Sequence, residues 1–267
     1  MFFARSFFVA SAIGGALAQI SGLSTQCQNT LLAVAASPQS VCLNPSGLLQ
    51  VFLQGTTNSV VTPVDTWLKG LCALGPCSND DLAAIVTNVT SGCSTDLQPV
   101  LGNASPGSLT PLVQQIYPTV RKAVCLADNS NNKELCVTET LTSIQTNTGT
   151  LTIDKLLQIV PAIAAGEANS LNGTNLCTPC VKQFYNVAES GFPGIFGPGT
   201  TVASNVQTDC GSSFVDGASD PNIVETASNS TSASGSSGSN TSNGCGQSTG
   251  QQALLSAFLL SLLALAA

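Results

Sequence analysis

The sequence predicts an all-α protein: a disulfide-stapled bundle of short helices, built from two similar five-cysteine halves and followed by a disordered stalk. Three observations predict it. Apolar residues recur at helical spacing, with no alternating stretch long enough for a sheet. Cysteine is abundant, with 11 in 267 residues. Large side chains are scarce, so packing alone gives a thin core. Composition also excludes much. With no histidine and 8 % charged residues, there is no Ser-His-Asp or Cys-His catalytic set, no histidine-ligated metal and no imidazole proton shuttle. A net charge of −7 leaves no electrostatic footprint for nucleic acid.

Residues 1–18 read as a secretory signal. Arg5 supplies the positive start, Phe7 to Leu17 the apolar stretch, and Ala16-Leu17-Ala18 the small-x-small cleavage site. The other end carries a second address. An uncharged run from Ala253 to Ala267 follows a polar spacer, Gly246 to Gln252, and the small residues Ser242, Asn243 and Gly244. Fifteen residues rise only about 22 Å as a helix, short of a bilayer core of about 30 Å. Small residues, spacer and tail in this order form the signal for a GPI lipid anchor, with Ser242, Asn243 and Gly244 as attachment candidates and 244–267 removed. Cysteine parity agrees, because Cys245 would leave with the tail. An even set remains: Cys27, Cys42, Cys72, Cys77, Cys93, Cys125, Cys136, Cys177, Cys180 and Cys210. Ten cysteines suit five disulfides in an oxidising compartment, and spacing does not reveal their pairing.

Between residues 19 and 220 the pattern predicts seven to nine short helices. Thr110-Pro111 and Thr178-Pro179 have the form of an N-cap followed by a first-turn proline. Asn79-Asp80-Asp81 places a cap and two carboxylates at a positive helix end. Leu82, Ile85, Val86 and Val89 make one apolar stripe. Leu151, Ile153, Leu156, Leu157, Val160 and Ile163 make another, with a break or kink expected at Pro161. From 221 to 243 the chain turns to Ser, Thr, Asn and Gly, a composition that cannot offset its own ordering entropy. It reads as a stalk of about 26 Å, O-glycosylated on Ser and Thr. N-glycosylation acceptors stand at Asn88, Asn103, Asn172, Asn229 and Asn240.

The two halves, about 24–97 and 121–217, repeat one another. Cysteine gaps of 14, 29, 4 and 15 residues in the first are answered by 10, 40, 2 and 29 in the second. Leu71-Cys72 with Pro76-Cys77 answers Leu176-Cys177 with Pro179-Cys180, and the Asn-Val segment before Cys93 answers that before Cys210. The longer last gap is filled by a Gly/Pro-rich insert around Gly191 to Thr200. Five is odd, so at least one bridge is expected to join the halves.

Signal, paired cysteine elements, stalk and anchor signal together resemble the uncharacterised cysteine-rich cell-surface proteins of filamentous fungi. The run from Cys27 to Leu97, with Trp67-Leu68-Lys69-Gly70-Leu71-Cys72, resembles a fungal secreted domain of unknown function. The spacing departs from that of the GPI-anchored haem-binding fungal domains with eight cysteines. The resemblance implies a fungal cell surface or wall, and carries no activity or catalytic residues with it.

Candidate chemistry is sparse. Cys177-Thr178-Pro179-Cys180 has the C-x-x-C form of thiol oxidoreductases but lacks a βαβ surround, so structural bridging is expected. A four-thiolate zinc site from Cys72, Cys77, Cys177 and Cys180 fits by spacing and not by redox compartment. Asp128 to Glu139 has oxygen side chains at calcium-loop positions, but Lys133 replaces the required glycine, and a polar loop before the Cys136 helix is the better account. Asp80 and Asp81 fit helix capping rather than acid–base work. Phe192, Ile195 and Phe196, in a Gly/Pro-rich loop, either cover the core or contact a small apolar ligand. The expected function is a non-enzymatic surface protein with a GPI lipid and no cofactor, in a structural or interaction role toward partners such as wall glycans. Two alternatives stand beside it: a binding module for a sterol or fatty acid, and a hydrolase of wall polysaccharide using two carboxylates about 5 to 9.5 Å apart.

Overall fold

The computed structural model describes residues 23–55, 57–101, 105–164 and 176–229. The expected signal peptide, the acceptors Asn103, Asn172 and Asn240, and the attachment candidates Ser242, Asn243 and Gly244 lie outside them. The fold is mostly helical. In chain order come α1 (Thr25–Ala35), a 3-10 segment (Pro38–Leu43), α2 (Pro45–Gly55), α3 (Val61–Ala73), α4 (Asn79–Gly92), α5 (Ser94–Leu101) and α6 (Pro106–Val124). Next come β1 (Leu126–Asp128), β2 (Glu134–Leu135), α7 (Cys136–Thr148) and α8 (Ile153–Ala164). The chain then forms α9 (Pro179–Gly191), α10 (Pro193–Phe196), α11 (Thr201–Cys210) and β3 (Ile223–Glu225). These eleven α-helices among the described residues exceed the seven to nine that periodicity suggests, because α5 and α10 are too short to show a period.

Two of the expected helix starts move. α4 is capped by Ser78, not Asn79. Ser78 Oγ accepts from the Asp81 backbone N–H while Asp81 accepts from that of Ser78, a reciprocal capping box. α6 is capped at Ser105 and takes Pro106 into its first turn, so Pro111 lies inside the helix. Thr178 behaves as expected, its hydroxyl accepting from Val181 N–H at the start of α9. α8 runs through Pro161.

The largest core gathers α2, α3, the end of α6, β1, β2, α7 and the start of α8 around Val60, Leu68, Ile144 and Leu151, each 2 % exposed or less. Trp67 is the one aromatic residue in it. α2 and α3 approach closely because Gly47 and Gly70 leave room for Asn44, which sits at φ 50 and donates from Nδ2 to the Trp67 carbonyl at 3.0 Å. Trp67 returns a bond from its indole N–H to Leu43 O at 2.9 Å. α6, the longest helix among the described residues, packs against α4 on one side and α9 on the other, and so spans the two halves.

Five disulfides consume the ten cysteines from Cys27 to Cys210: Cys27–Cys93, Cys42–Cys77, Cys72–Cys125, Cys136–Cys180 and Cys177–Cys210. Cys72–Cys125 joins the halves. In each series the second cysteine pairs with the fourth. The first and fifth pair in the first half; in the second half the fifth pairs with the third, because the first is taken by Cys72. The Asn-Val segments both end a helix at their cysteine, in α4 and in α11, and the Gly191–Thr200 insert is what separates α9 from α11.

The expectation of helices alone misses a small antiparallel sheet of order β2-β1-β3. With it the boundary of the folded body shifts. Residues 221–229 are not stalk. Ile223 is buried, β3 pairs with β1, and Thr226 and Ser228 donate backbone bonds to Cys125 O (2.9 Å) and Cys72 O (2.8 Å). This C-terminal strap therefore lies across both cysteines of the bridge between the halves. Arg121, 6 % exposed, fastens it by donating to Ser228 O at 2.9 Å and to Leu74 O.

Candidate functional site

The segment Gly191–Gly199 is not an open loop: it contains the short helix α10 and turns back onto α6 and α9. Phe192 is buried on Ile116, with Ile195 and Phe196 partly buried beside it. Tyr185 holds the turn, its hydroxyl donating to Phe196 O and its ring meeting Phe196 edge-on at 6.3 Å. Gly191 is required by contact: a Cβ there would lie 2.4 Å from Thr119 Oγ1. The cavity beside these residues, lined by Val120, Ala123, Phe184, Phe192 and Phe196, holds about 20 Å³ and has no polar wall. That is room for about one water, against the roughly 300–1,000 Å³ of small-molecule sites. The three residues cover the core.

The acidic candidates come together more than their spacing suggests. Carboxylate oxygens of Asp128 and Glu139 and the sulfur of Cys180 lie within 4.8 Å of one another. The sulfur is bonded to Cys136, so it is not a thiolate ligand. Asp128 is occupied by the Ser130 N–H and hydroxyl at 2.7 and 2.6 Å, and Glu134 by Asn131 Nδ2 at 2.7 Å. Lys133, at φ 60, closes this loop by donating its N–H to Asp128 O. The polar-loop account therefore explains the oxygen groups of Asp128, Ser130 and Glu134. Burial pushes the Glu139 carboxyl above its usual range; the Asn131 side chain opposes this, and the charges of Asp128 and Glu134 add to it.

Asp81 is spent in the α4 cap, as expected of a helix start. The four cysteines of the imagined zinc site are divided among four different bridges. Cys177 and Cys180 are likewise not bonded to each other: the C-x-x-C is split, Cys177 to Cys210 and Cys180 to Cys136. Asn88, on α4, and Asn229, at the end of the strap, are exposed.

One cleft was not legible in the sequence. Lys69, Cys72 and Ala73 of α3, Lys133 and Leu135, and Thr226 of the strap surround about 240 Å³. Lys69 is paired with Asp65 at 2.7 Å, and Asp65 is fixed by the Thr138 hydroxyl at 2.8 Å, so among the described residues Lys133 is the one cation there without a carboxylate. Bringing these together takes the β1–β2 turn and the strap, neither of which carries a helical period.

Five disulfides mark an extracellular or secreted protein, and among the described residues no helix is long and apolar enough to cross a membrane. No protein-family model matches the chain. No curated protein matches it, and no solved structure matches it.

Proposed function

We propose that this chain is a non-enzymatic protein of the fungal cell surface or wall, attached through a GPI lipid at Ser242, Asn243 or Gly244 and serving a structural or interaction role. The observation that supports it most is cysteine bookkeeping. The five bridges use every cysteine from Cys27 to Cys210, leaving Cys245, which stands within the segment that anchor attachment would remove. The resemblance to cysteine-rich fungal surface proteins points the same way. With the body extended to Asn229, the segment left to serve as the expected stalk is 230–243. Asp81, Asp128 and the aromatic turn are engaged within the fold, which favours this reading over the hydrolase and the sterol or fatty-acid carrier.

The test is expression of the full chain in a filamentous fungus with detergent phase partitioning. Phosphatidylinositol-specific phospholipase C is expected to move the protein from the detergent to the aqueous phase, and truncation after residue 252 to send it into the medium. Retention in the detergent phase after lipase, with the truncated chain still cell-bound, overturns the anchor. Saturable displacement of a fluorescent sterol by the purified body would favour the carrier.

A further inference from the structure

Cys177 and Cys180 stand one helical turn apart across the start of α9, and their environments differ sharply. Cys177 precedes the Thr178 cap and is exposed; Cys180, in the first turn, is 1 % exposed. The bridge Cys136–Cys180 connects the first residue of α7 to the first turn of α9. Helix starts carry partial positive charge and stabilise thiolates, so each sulfur of that bridge is a good leaving group. It is also the one crosslink, among the described residues, between 176–229 and the rest of the body, whereas Cys177–Cys210 closes a loop within 176–229.

We infer that the two bridges form a redox latch, in which reduction of the exposed Cys177–Cys210 bond lets Cys177 displace Cys136 from Cys180 and uncouple the segment from α9 to the strap. The reactant is an extracellular dithiol. Its two thiols become a disulfide, and its two electrons and two protons pass to Cys177 and Cys210. The Cys177 thiolate then attacks the Cys180 sulfur; the Cys177–Cys180 bond forms and the Cys136–Cys180 bond breaks. Cys136 departs as a thiolate and takes up the proton that Cys177 gave. The product is a C-x-x-C disulfide in a helix first turn, an arrangement that such spacing closes readily. The carboxylates of Asp128 and Glu139, within 4.8 Å of the attacked sulfur, repel the incoming thiolate and slow the exchange.

The oxidised full chain is treated with one equivalent of dithiothreitol, quenched in acid, alkylated and mapped without further reduction. Labelled Cys136 and Cys210 with a Cys177–Cys180 crosslink in the main two-thiol species is the expected result. Labelled Cys177 and Cys210 with Cys136–Cys180 retained, or earlier opening of another bridge, overturns the latch. Cys210→Ser enters the pathway without a reductant. It is expected to carry Cys177–Cys180 and an alkylatable Cys136, and retention of Cys136–Cys180 in that variant also overturns the latch. Glu139→Gln is expected to speed the exchange about three- to tenfold, and an unchanged rate would remove the carboxylates from its control.

Discussion

Complete reduction is the perturbation that weighs crosslinks against packing. The five closed loops separate their cysteines by 66, 35, 53, 44 and 33 residues. On the chain-entropy relation each restricts the unfolded state by about 4 kcal/mol. Cys42–Cys77 lies inside the Cys27–Cys93 loop, so the contributions overlap. Even half of their sum matches the whole net stability of a typical domain, about 5–15 kcal/mol. The core is not rich enough to absorb that loss. Its largest cluster holds Trp67 as its one aromatic residue and includes the Cys72 and Cys125 bridge as packing atoms. At about 2–4 °C per kcal/mol for a body of this size, a loss near 10 kcal/mol lowers the midpoint by at least about 20 °C. The assay is thermal circular dichroism at 222 nm, oxidised against fully reduced, with thiols counted to establish that all ten have opened. A reduced form lacking a cooperative transition above room temperature is expected. A reduced midpoint within about 3 °C of the oxidised one would refute the view that crosslinks decide the fold.

Other consequences are more local. Arg121→Met leaves the Leu74 and Ser228 carbonyls without their charged donor. It is expected to cost about 2–4 kcal/mol in denaturant unfolding, with the amides of Thr226 and Ser228 losing hydrogen-exchange protection. Gly92→Ala puts a Cβ 1.9 Å from Thr30 Oγ1 and 2.5 Å from Thr30 Cβ. It should destabilise by about 1–3 kcal/mol, and Thr30→Gly should restore more of the loss than Thr30→Ala, since alanine keeps the clashing Cβ. Burial raises the folded-state pKa of Glu139 above the ordinary glutamate value of 4.5. The folded state thus binds its proton more tightly than the unfolded one, and stability falls as pH rises through the raised value. Glu139→Gln is therefore expected to raise the melting midpoint at pH 7.5, with the gain gone below about pH 4.

What the sequence disclosed and what it hid follow from the range of the forces involved. Thr178-Pro179 could be recognised because a cap and a first-turn proline act within four residues. The stripe of Leu82 and Val86 could be recognised because burial on one helix face repeats. Thr110-Pro111 has the same local form as Thr178-Pro179 and misled, because Ser105-Pro106 offers a competing start one turn earlier and wins. The strap was concealed by its polar composition, although Ile223 and Val224 are β-branched neighbours in an otherwise apolar-poor stretch, and that signal was present. Nothing local shows that these residues find β1, about a hundred positions upstream in the chain. The bridge between the halves was demanded by odd parity, a counting argument that needs no geometry. Which cysteine makes it is fixed by where α3 and α6 end, and so belongs to the tertiary structure. The split C-x-x-C fails as a motif for the same reason: Cys210 and Cys136 are brought to it by α11 and α7, not by sequence neighbourhood.

The strap changes what an attachment at the C-terminal end implies for the body. A tail joined to a domain through an unstructured linker loads whichever residue it leaves from. Here the last described residues are held by Ser228 on Cys72 and Thr226 on Cys125, with Arg121 donating to the Ser228 carbonyl. Under the proposed display, tension from the surface enters at the bridge that joins the halves, where the chain is already crosslinked and α3 and α6 both end. The β1–β3 ladder comes next along the chain, then Cys177–Cys210 within the segment, and then Cys136–Cys180, which ties the segment to α7 by a covalent bond. Hydrogen bonds that yield and re-form thus stand in front of a bond that does not. Loss of Cys136–Cys180 leaves only the reversible contacts to hold 176–229 in place, so one redox event and the mechanical path share the same weak point.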